Sequence, residues 1–572
     1  MKLKRGFWIA LLVLWTFEAQ AQTITNAARY TQPGVDVLNY NFALILSDST
    51  NQIKGETTIR FTRADDRQSV WFDLIEAKND SARSGMRVRE VRLPDGKVVP
   101  FSHRKDRVFI NLPPAPGQPT EVVIRYEGTP ARGLIISRNK FNERTFFGDN
   151  WPNNARNWLP VVDHPSDKAT CAFTVDAPAT YRVIANGKLL DENLLPGSRK
   201  RTRWQENTPI PTKVMVIGAA RFAVEDVGSV SGIPVQSWLY PNDSQKGFID
   251  YRPAKEILHY FIDKIGPYSY EKLANVQSTT VFGGMENASC IFYNEKVIVG
   301  KKDSDVEALL AHEIAHQWFG NSATETDWSQ LWLSEGFATY FSALYLEHAY
   351  GRDTLNAVLN QNKNQIFRYT SLKPKGTVID STTTNLNDLL NPFSYQKGGW
   401  VLHMLRHELG DETFWRGIRD YYAKFRNANA RTSDFQAVME NASGKKLGQF
   451  FGQWLNQPGY PELVWGSRYD MAKQTLIIDV RQAQRTGTIF TIPLTFSIRD
   501  RGDGPANNRE LLRTAKLTMT GQTQTFIVLL ATKPGSVVID PDNTVLMRAE
   551  SMDRTQMTTL PTAKTPAASN QP

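Results

Sequence analysis

The sequence predicts an α+β chain of several domains: an N-terminal antiparallel β domain, a helix-rich middle and a small C-terminal β-sandwich. Three observations lead there. The 572 residues are more than one hydrophobic core commonly serves. The hydrophobic period is that of strands from about Val35 to Tyr240, turns helical near Arg252, and returns to short strands beyond Pro461. Apolar residues make up 41 % and aromatic residues 11 %, with 14 Trp, which is material for packed cores and excludes a disordered chain.

The elements follow in chain order. Lys2, Lys4 and Arg5 precede an apolar run of eleven residues, Phe7 to Phe17, and Ala19-Gln20-Ala21 offers small residues at the positions a signal peptidase reads. Residues 1–21 are therefore predicted to be a signal peptide, since eleven apolar residues cover only about half of a bilayer core. Export to the periplasm or the outside follows as an expectation, and no later segment is apolar enough to span a membrane. Residues 22–240 form the predicted β domain, with Tyr40 to Leu46 and Thr57 to Phe61 as β-rich runs. Asn186-Gly187, between Val183–Ala185 and Leu189-Leu190, predicts a tight hairpin. Residues 241–460 form the helical domain. Its first helix carries Ile257, Leu258, Phe261, Ile262 and Ile265 and stops at Gly266-Pro267. Residues 461–550 are the predicted sandwich, with strands at Leu476–Val480, Phe490–Ile498 and Phe526–Leu530. Residues 551–572, rich in Thr, Ala, Pro and Gln, predict a tail without fixed structure.

The formal charge of +9 is scattered, apart from short clusters such as Ser198–Arg201, so nucleic acid is not an expected partner. Two cysteines, Cys171 and Cys290, make neither a zinc ribbon nor a redox motif.

The chemistry concentrates in Ala311–Asn321, which reads AHEIAHQWFGN. Ser304 to Glu307 fits a capping box, Leu309, Leu310 and Ile314 supply apolar positions, and Gly320 is a stop. On that helix His312 and His316 lie one turn apart on one face and can reach a single ion. Glu313 sits about 100° around the axis, beside the ion rather than on it, where a general base belongs. A third ligand is available in Glu335, after eighteen intervening residues, on a helix from Leu333 to Tyr350 closed by Gly351. Two imidazoles and one carboxylate leave a zinc ion Lewis-acidic, with a fourth position open.

These residues resemble the zinc aminopeptidases of the aminopeptidase N type, gluzincins with a thermolysin-like catalytic domain behind a saddle-like β domain. Three markers carry the resemblance: His-Glu-x-x-His with Glu335 inside Trp332–Ala338, Gly-x-Met-Glu-Asn at Gly283–Asn287, and Tyr-x-Lys-Gly at Tyr395–Gly398. Weaker likeness covers roughly Val35 to Leu546. The resemblance implies one zinc ion on His312, His316 and Glu335, Glu313 as the base, and Tyr395 as donor to the oxyanion. It assigns Glu286 to the free α-ammonium of a peptide substrate, as a carboxylate suits. Gly283 and Gly284 let a substrate backbone come close, and Met285 is expected to line the first side-chain pocket.

One departure stands out. Many members of the family it resembles carry a second amino-end anchor, Glu or Gln, five residues before an arginine that is Arg156 here. That position is Trp151, which accepts no hydrogen bond. Asp149 and Asn153 are the nearby candidates. The chain also ends where many relatives begin a large helical domain, so a more open cleft is expected. His403 and His407 are four apart but lack an acid between them and read as structural, as do His103, His164, His259 and His348. The expected activity is removal of the N-terminal residue from peptides. An endopeptidase on the same fold and an inactive peptide-binding scaffold are the alternatives.

Overall fold

The structure is a computed structural model that describes residues 31–78, 84–500 and 510–552. The predicted signal peptide lies outside the described residues, as does the predicted tail from residue 553 onward. No helix among the described residues is long and apolar enough to cross a membrane.

The N-terminal half is built on a seven-stranded sheet. Its order is Lys188–Leu195, Arg199–Pro211, Lys168–Pro178, Val35–Ile45, Ile53–Arg63, Thr120–Thr129 and Gly85–Arg92. One pairing within it is parallel, Val35–Ile45 with Lys168–Pro178, which sets Phe42 beside Phe173 with ring centroids 5.0 Å apart. A bulge between Val37 and Asn39 shifts the alternation by one residue. Val37, Tyr40, Phe42 and Leu44 can then all point into the core. A four-stranded sheet follows the order Arg182–Ala185, Ile217–Ala220, Arg144–Asp149 and Gly133–Arg138.

Asn186-Gly187 is not the hairpin its dipeptide predicts. Arg182–Ala185 pairs with Ile217–Ala220, whereas Lys188–Leu195 pairs with Arg199–Pro211, so the two residues carry the chain from one sheet to another. The Asn186 amide is consumed by this corner: Nδ2 donates to the carbonyls of Val214 (2.8 Å) and Ala288 (2.7 Å), and Oδ1 accepts from Val216 N (2.7 Å). Gly187 has φ +77°, and a Cβ there would lie 2.0 Å from the Gln205 carbonyl oxygen.

The middle of the chain starts from a five-stranded sheet ordered Ala223–Val230, Ile233–Leu239, Leu273–Ser278, Cys290–Asn294 and Gly284–Met285. The two-residue strand Gly284–Met285 is an edge of this sheet. Beyond it the helices Ser304–Ala315 and Trp332–Tyr350 pack on each other. The first begins differently from its capping-box reading. Asp303 is the cap, accepting from Asp305 N (3.0 Å) and Val306 N (3.3 Å), and a full charge suits a helix N-terminus. Glu307 turns away to accept from the hydroxyls of Tyr345 and Tyr350. Past Pro461 a four-stranded and a three-stranded sheet face each other, with Leu463, Ile478, Val480, Leu494, Phe496 and Ile498 buried.

Candidate active site

His312 and His316 occupy the end of helix Ser304–Ala315, where the His316 N–H still bonds the His312 carbonyl (3.2 Å). Glu335 lies in the first turn of helix Trp332–Tyr350. The Nε2 atoms of the two imidazoles are 3.1 Å apart, and Glu335 Oε2 is 3.4 Å from His312 Nε2 and 3.2 Å from His316 Nε2. Tetrahedral ligation at about 2.0–2.1 Å separates ligand atoms by about 3.3 Å, so this triangle has the dimensions of a zinc site. His316 Nδ1 lies 3.1 Å from the Phe319 carbonyl, which can only accept. A neutral His316 ring therefore carries its proton on Nδ1, which leaves the Nε2 lone pair for an ion in the triangle. Among the described residues this is the one group of three or more such donors whose atoms all lie within 4.8 Å of one another.

The electrostatics favour positive charge at its centre. Burial lowers the His312 imidazole, with Glu335 opposing. Burial pulls on His316 as well, but the Glu335 carboxylate outweighs it and raises that imidazole to about 9. Burial alone would raise Glu335, yet the charge of His316 and hydrogen bonds from both imidazoles hold it below the usual carboxylate range.

Glu313 is 5 % exposed. Burial pushes its carboxyl well up, with Glu286 and Glu335 adding to the rise and His316 opposing it. Its side chain rests on Gly284, where a Cβ would stand 2.3 Å from Glu313 Oε1. The glycine is thus required by the glutamate before any substrate is considered. Gly283 is freer, since a Cβ there meets nothing closer than Leu309 Cδ2 at 3.7 Å. Met285 and Glu286 are both buried, and Glu286 Oε1 has no hydrogen-bond partner.

Tyr395 sits in a single π-helical turn, Phe393–Lys397, of the kind that recurs at functional sites. Its ring stacks on His312, centroids 6.0 Å apart and planes 7° from parallel. Gly336 of helix Trp332–Tyr350 and Gly398, the first residue of the helix Gly398–Leu409 that follows the π-turn, let these two helices touch backbone to backbone, a Cβ on Gly336 lying 2.9 Å from Gly398 Cα. That contact brings Tyr395 to Glu335. Burial first, then the Glu335 and Glu286 charges, raise the Tyr395 phenol well above its ordinary value, which keeps it a donor. A cleft of about 460 Å³ is lined by His312, Glu313, His316, Glu335, Tyr395 and all four residues Gly283–Glu286.

Sequence reasoning passed over the residues that hold this arrangement. Gln317 Nε2 (2.9 Å) and Asn321 Nδ2 (2.6 Å) both donate to the Glu286 carbonyl, and Gln317 Oε1 accepts from Ser289 N (2.9 Å). The segment that follows the second histidine therefore grips the loop that carries Glu286. Both residues are fully buried, and buried amides in a motif are the signal that could have found them. Trp151 lines the cleft, whereas Arg156 is turned away into an ion network, 3.1 Å from Asp163 Oδ2 and 3.3 Å from Asp73 Oδ2. His403 is structural: Nδ1 lies 3.0 Å from the Tyr340 hydroxyl and Nε2 3.1 Å from the Asn543 carbonyl. Cys171 and Cys290 are buried free thiols, each raised by burial.

Comparison with known proteins agrees with this geometry. The Peptidase M1 N-terminal domain description matches residues 37–214, and the Peptidase family M1 domain description matches residues 250–454. A glutamyl aminopeptidase of Rattus norvegicus is 25 % identical over 475 residues, 78 % of this chain and 50 % of the relative. A probable aminopeptidase 2 of Sulfurisphaera tokodaii is 28 % identical over 429 residues, 71 % of this chain and 53 % of the relative. This chain spans about half the length of these relatives. The crystal structure of Legionella pneumophila aminopeptidase A in complex with aspartic acid shares the fold, with a TM-score of 0.78 and 17 % identity over 93 % of this chain and 61 % of that one. M1 peptidases are zinc metalloenzymes. With one M1 description on the β-rich half and the other on the helical unit that carries the histidine pair, the chain belongs to peptidase family M1.

Proposed function

We propose that this chain is an exported zinc aminopeptidase that removes the N-terminal residue of peptides. The observation that carries the reading is a juxtaposition. One cleft is lined by a three-donor triangle of zinc dimensions, a buried glutamate beside it, and a further carboxylate, Glu286, with an unpartnered oxygen.

His312, His316 and Glu335 would hold the zinc ion. When bound, zinc supplies Lewis acidity toward the scissile carbonyl and toward water. The remaining work belongs to the chain. Glu286 accepts hydrogen bonds from the substrate α-ammonium and so fixes which peptide bond reaches the triangle. Gly283 and Gly284 leave room for the substrate backbone, and Met285 lines the space for the first side chain. Glu313 takes a proton from the attacking water as the C–O bond forms, and returns it to the leaving nitrogen as the C–N bond breaks. The raised carboxyl of Glu313 suits both halves of that exchange. Tyr395, held protonated, donates its O–H to the oxyanion. Export rests on Lys2 to Ala21 of the sequence, and N-terminal sequencing of the mature protein tests it.

The test of the activity is a panel of fluorogenic single-amino-acid amides, with N-acetylated counterparts, run with and without a chelator beside a metal assay. The expected result is about one zinc per chain, cleavage of free-amine amides, and none of blocked ones. Equal cleavage of blocked substrates would make the protein an endopeptidase. Absence of a stoichiometric metal would end the proposal.

A further inference from the structure

A donor to an oxyanion is useful only where its hydroxyl is held in place, and the turn that carries Tyr395 is held from behind. Lys397 is the last residue of the π-helical turn Phe393–Lys397 and is fully buried. Side chains two positions apart in a helical turn point to nearly opposite sides. While Tyr395 lines the cleft, the Lys397 ammonium reaches the other way, to the carbonyls of Gly459 (3.0 Å) and Gln457 (3.4 Å). Those carbonyls belong to the joint between helix Gly448–Leu455 and the first sandwich strand, Glu462–Asp470.

The joint is itself fixed. Gly459 has φ +81°, and a Cβ there would lie 3.0 Å from Cγ2 of Thr486 in the sandwich. Tyr460 is buried against Phe367, ring centroids 4.2 Å apart. The Leu455 carbonyl accepts from Val378 N and Ile379 N, each at 3.1 Å. Toward the Glu335 helix, by contrast, the end of the turn meets its neighbour through Gly398 and Gly336. A contact between glycines sets a distance, but it has no side chains to set a rotation.

Lysine is a costly residue for this place. Burial alone moves the Lys397 ammonium, down to about 7, with no carboxylate opposing. The Phe393 ring lies 5.6 Å from Nζ. A methionine would fill much the same length without desolvating a charge. What the lysine adds is a pair of directed hydrogen bonds. A neutral amine still carries two N–H groups, one for each carbonyl, so the tether survives loss of the proton.

We propose that Lys397 is a positioning residue for the oxyanion donor, tying the back of the Tyr395 turn to the joint Gln457–Gly459, so that the seam between the helical unit and the sandwich sets where the phenol points. This rests on the aminopeptidase reading. It gives the C-terminal sandwich a part in turnover although none of its residues lines the cleft.

The experiment is a double-mutant cycle on the zinc-loaded full chain: Tyr395→Phe, Lys397→Met and the two together. It reads kcat and KM on a fluorogenic leucine amide, zinc content and melting temperature. Lys397→Met should lower kcat by about tenfold to a hundredfold, less than Tyr395→Phe does, because a misplaced donor loses part of what an absent one loses. KM should hold within a few fold, and zinc content should not change. The double variant should be no slower than Tyr395→Phe alone, since the tether then has no hydroxyl to place. Losses that multiply in the double variant overturn this proposal alone, as does a Lys397→Met enzyme with normal kcat. If Lys397→Met fails to fold, Lys397→Gln takes its place in the cycle, and failure of both assigns the lysine to the fold and overturns the proposal. A wild-type chain that cleaves no free-amine amide, or a Tyr395→Phe enzyme as fast as the wild type, overturns the reading beneath it, and this proposal with it.

Discussion

Two parts of the cleft wall, the His312–His316–Glu335 triangle and the surroundings of Glu286, are built in different ways. At the triangle, His312, Glu313 and His316 come from five consecutive residues and Glu335 from the next helix, so one helix pair fixes the chemistry. Around Glu286, by contrast, Trp151, Gln317 and Asn321 come from a loop of the β-rich part and from the stretch past the second histidine. Helical spacing alone sets the first arrangement, whereas the second exists only after two parts of the chain have packed. The three-donor triangle is therefore a local arrangement, and the surroundings of Glu286 are a distributed one.

The comparison breaks first at Glu313. Glu313→Gln keeps the triangle's donors and should retain zinc while lowering kcat by about 10²–10⁴-fold. Metal content measured beside turnover checks it, and an unchanged kcat would remove Glu313 from the chemistry. Tyr395→Phe should lower kcat by about 10²–10³-fold with little change in KM. Gly284→Ala comes next. Its Cβ would stand 2.3 Å from Glu313 Oε1, 2.5 Å from Cδ and 2.6 Å from Cγ, so the whole carboxylate arm of the base must move. The expected cost is about 1–3 kcal/mol in activation free energy, read in kcat, with a lowered melting temperature from the same overpacking. Asn321→Ala acts on the surroundings of Glu286. Gln317 still holds the Glu286 carbonyl, so the loss is about 1 kcal/mol of stability and a few-fold rise in KM, with zinc content unaffected.

What the sequence disclosed follows the same division. The His312 helix, the Glu335 helix with its Gly351 stop, and the β–helical–β order were legible because each rests on short-range periodicity and stop residues. The hairpin at Asn186-Gly187 misled because the dipeptide reports a turn but not which sheets its flanks join. The cap at Asp303 was missed because serine and aspartate compete for one helix end, and the tyrosines that claim Glu307 are far along the chain. Gln317 and Asn321 were in plain view inside the motif. Their partner, the Glu286 carbonyl, carries no sequence signal, since every residue has one. The Gly336–Gly398 contact was hidden for the same reason: close approach of two helices is a property of the pair.

Gly283→Ala gives the smallest effect and separates two reasons for a glycine. Inside the protein the new methyl meets Leu309 at ordinary contact distance, and no left-handed backbone is required of it. Folding stability should therefore rise by about 0.4–1 kcal/mol, because alanine narrows the unfolded ensemble. If glycine is kept for the substrate backbone, the same methyl costs binding, at about 1 kcal/mol or roughly a fivefold rise in KM, while kcat holds because Glu313 does not touch it. The pair Gly283→Ala and Gly284→Ala then divides cleanly, the first expressed in KM and the second in kcat. A Gly283→Ala enzyme that is more stable and equally fast at every substrate concentration would show that the edge strand serves the base alone, and that the substrate backbone runs elsewhere in the cleft.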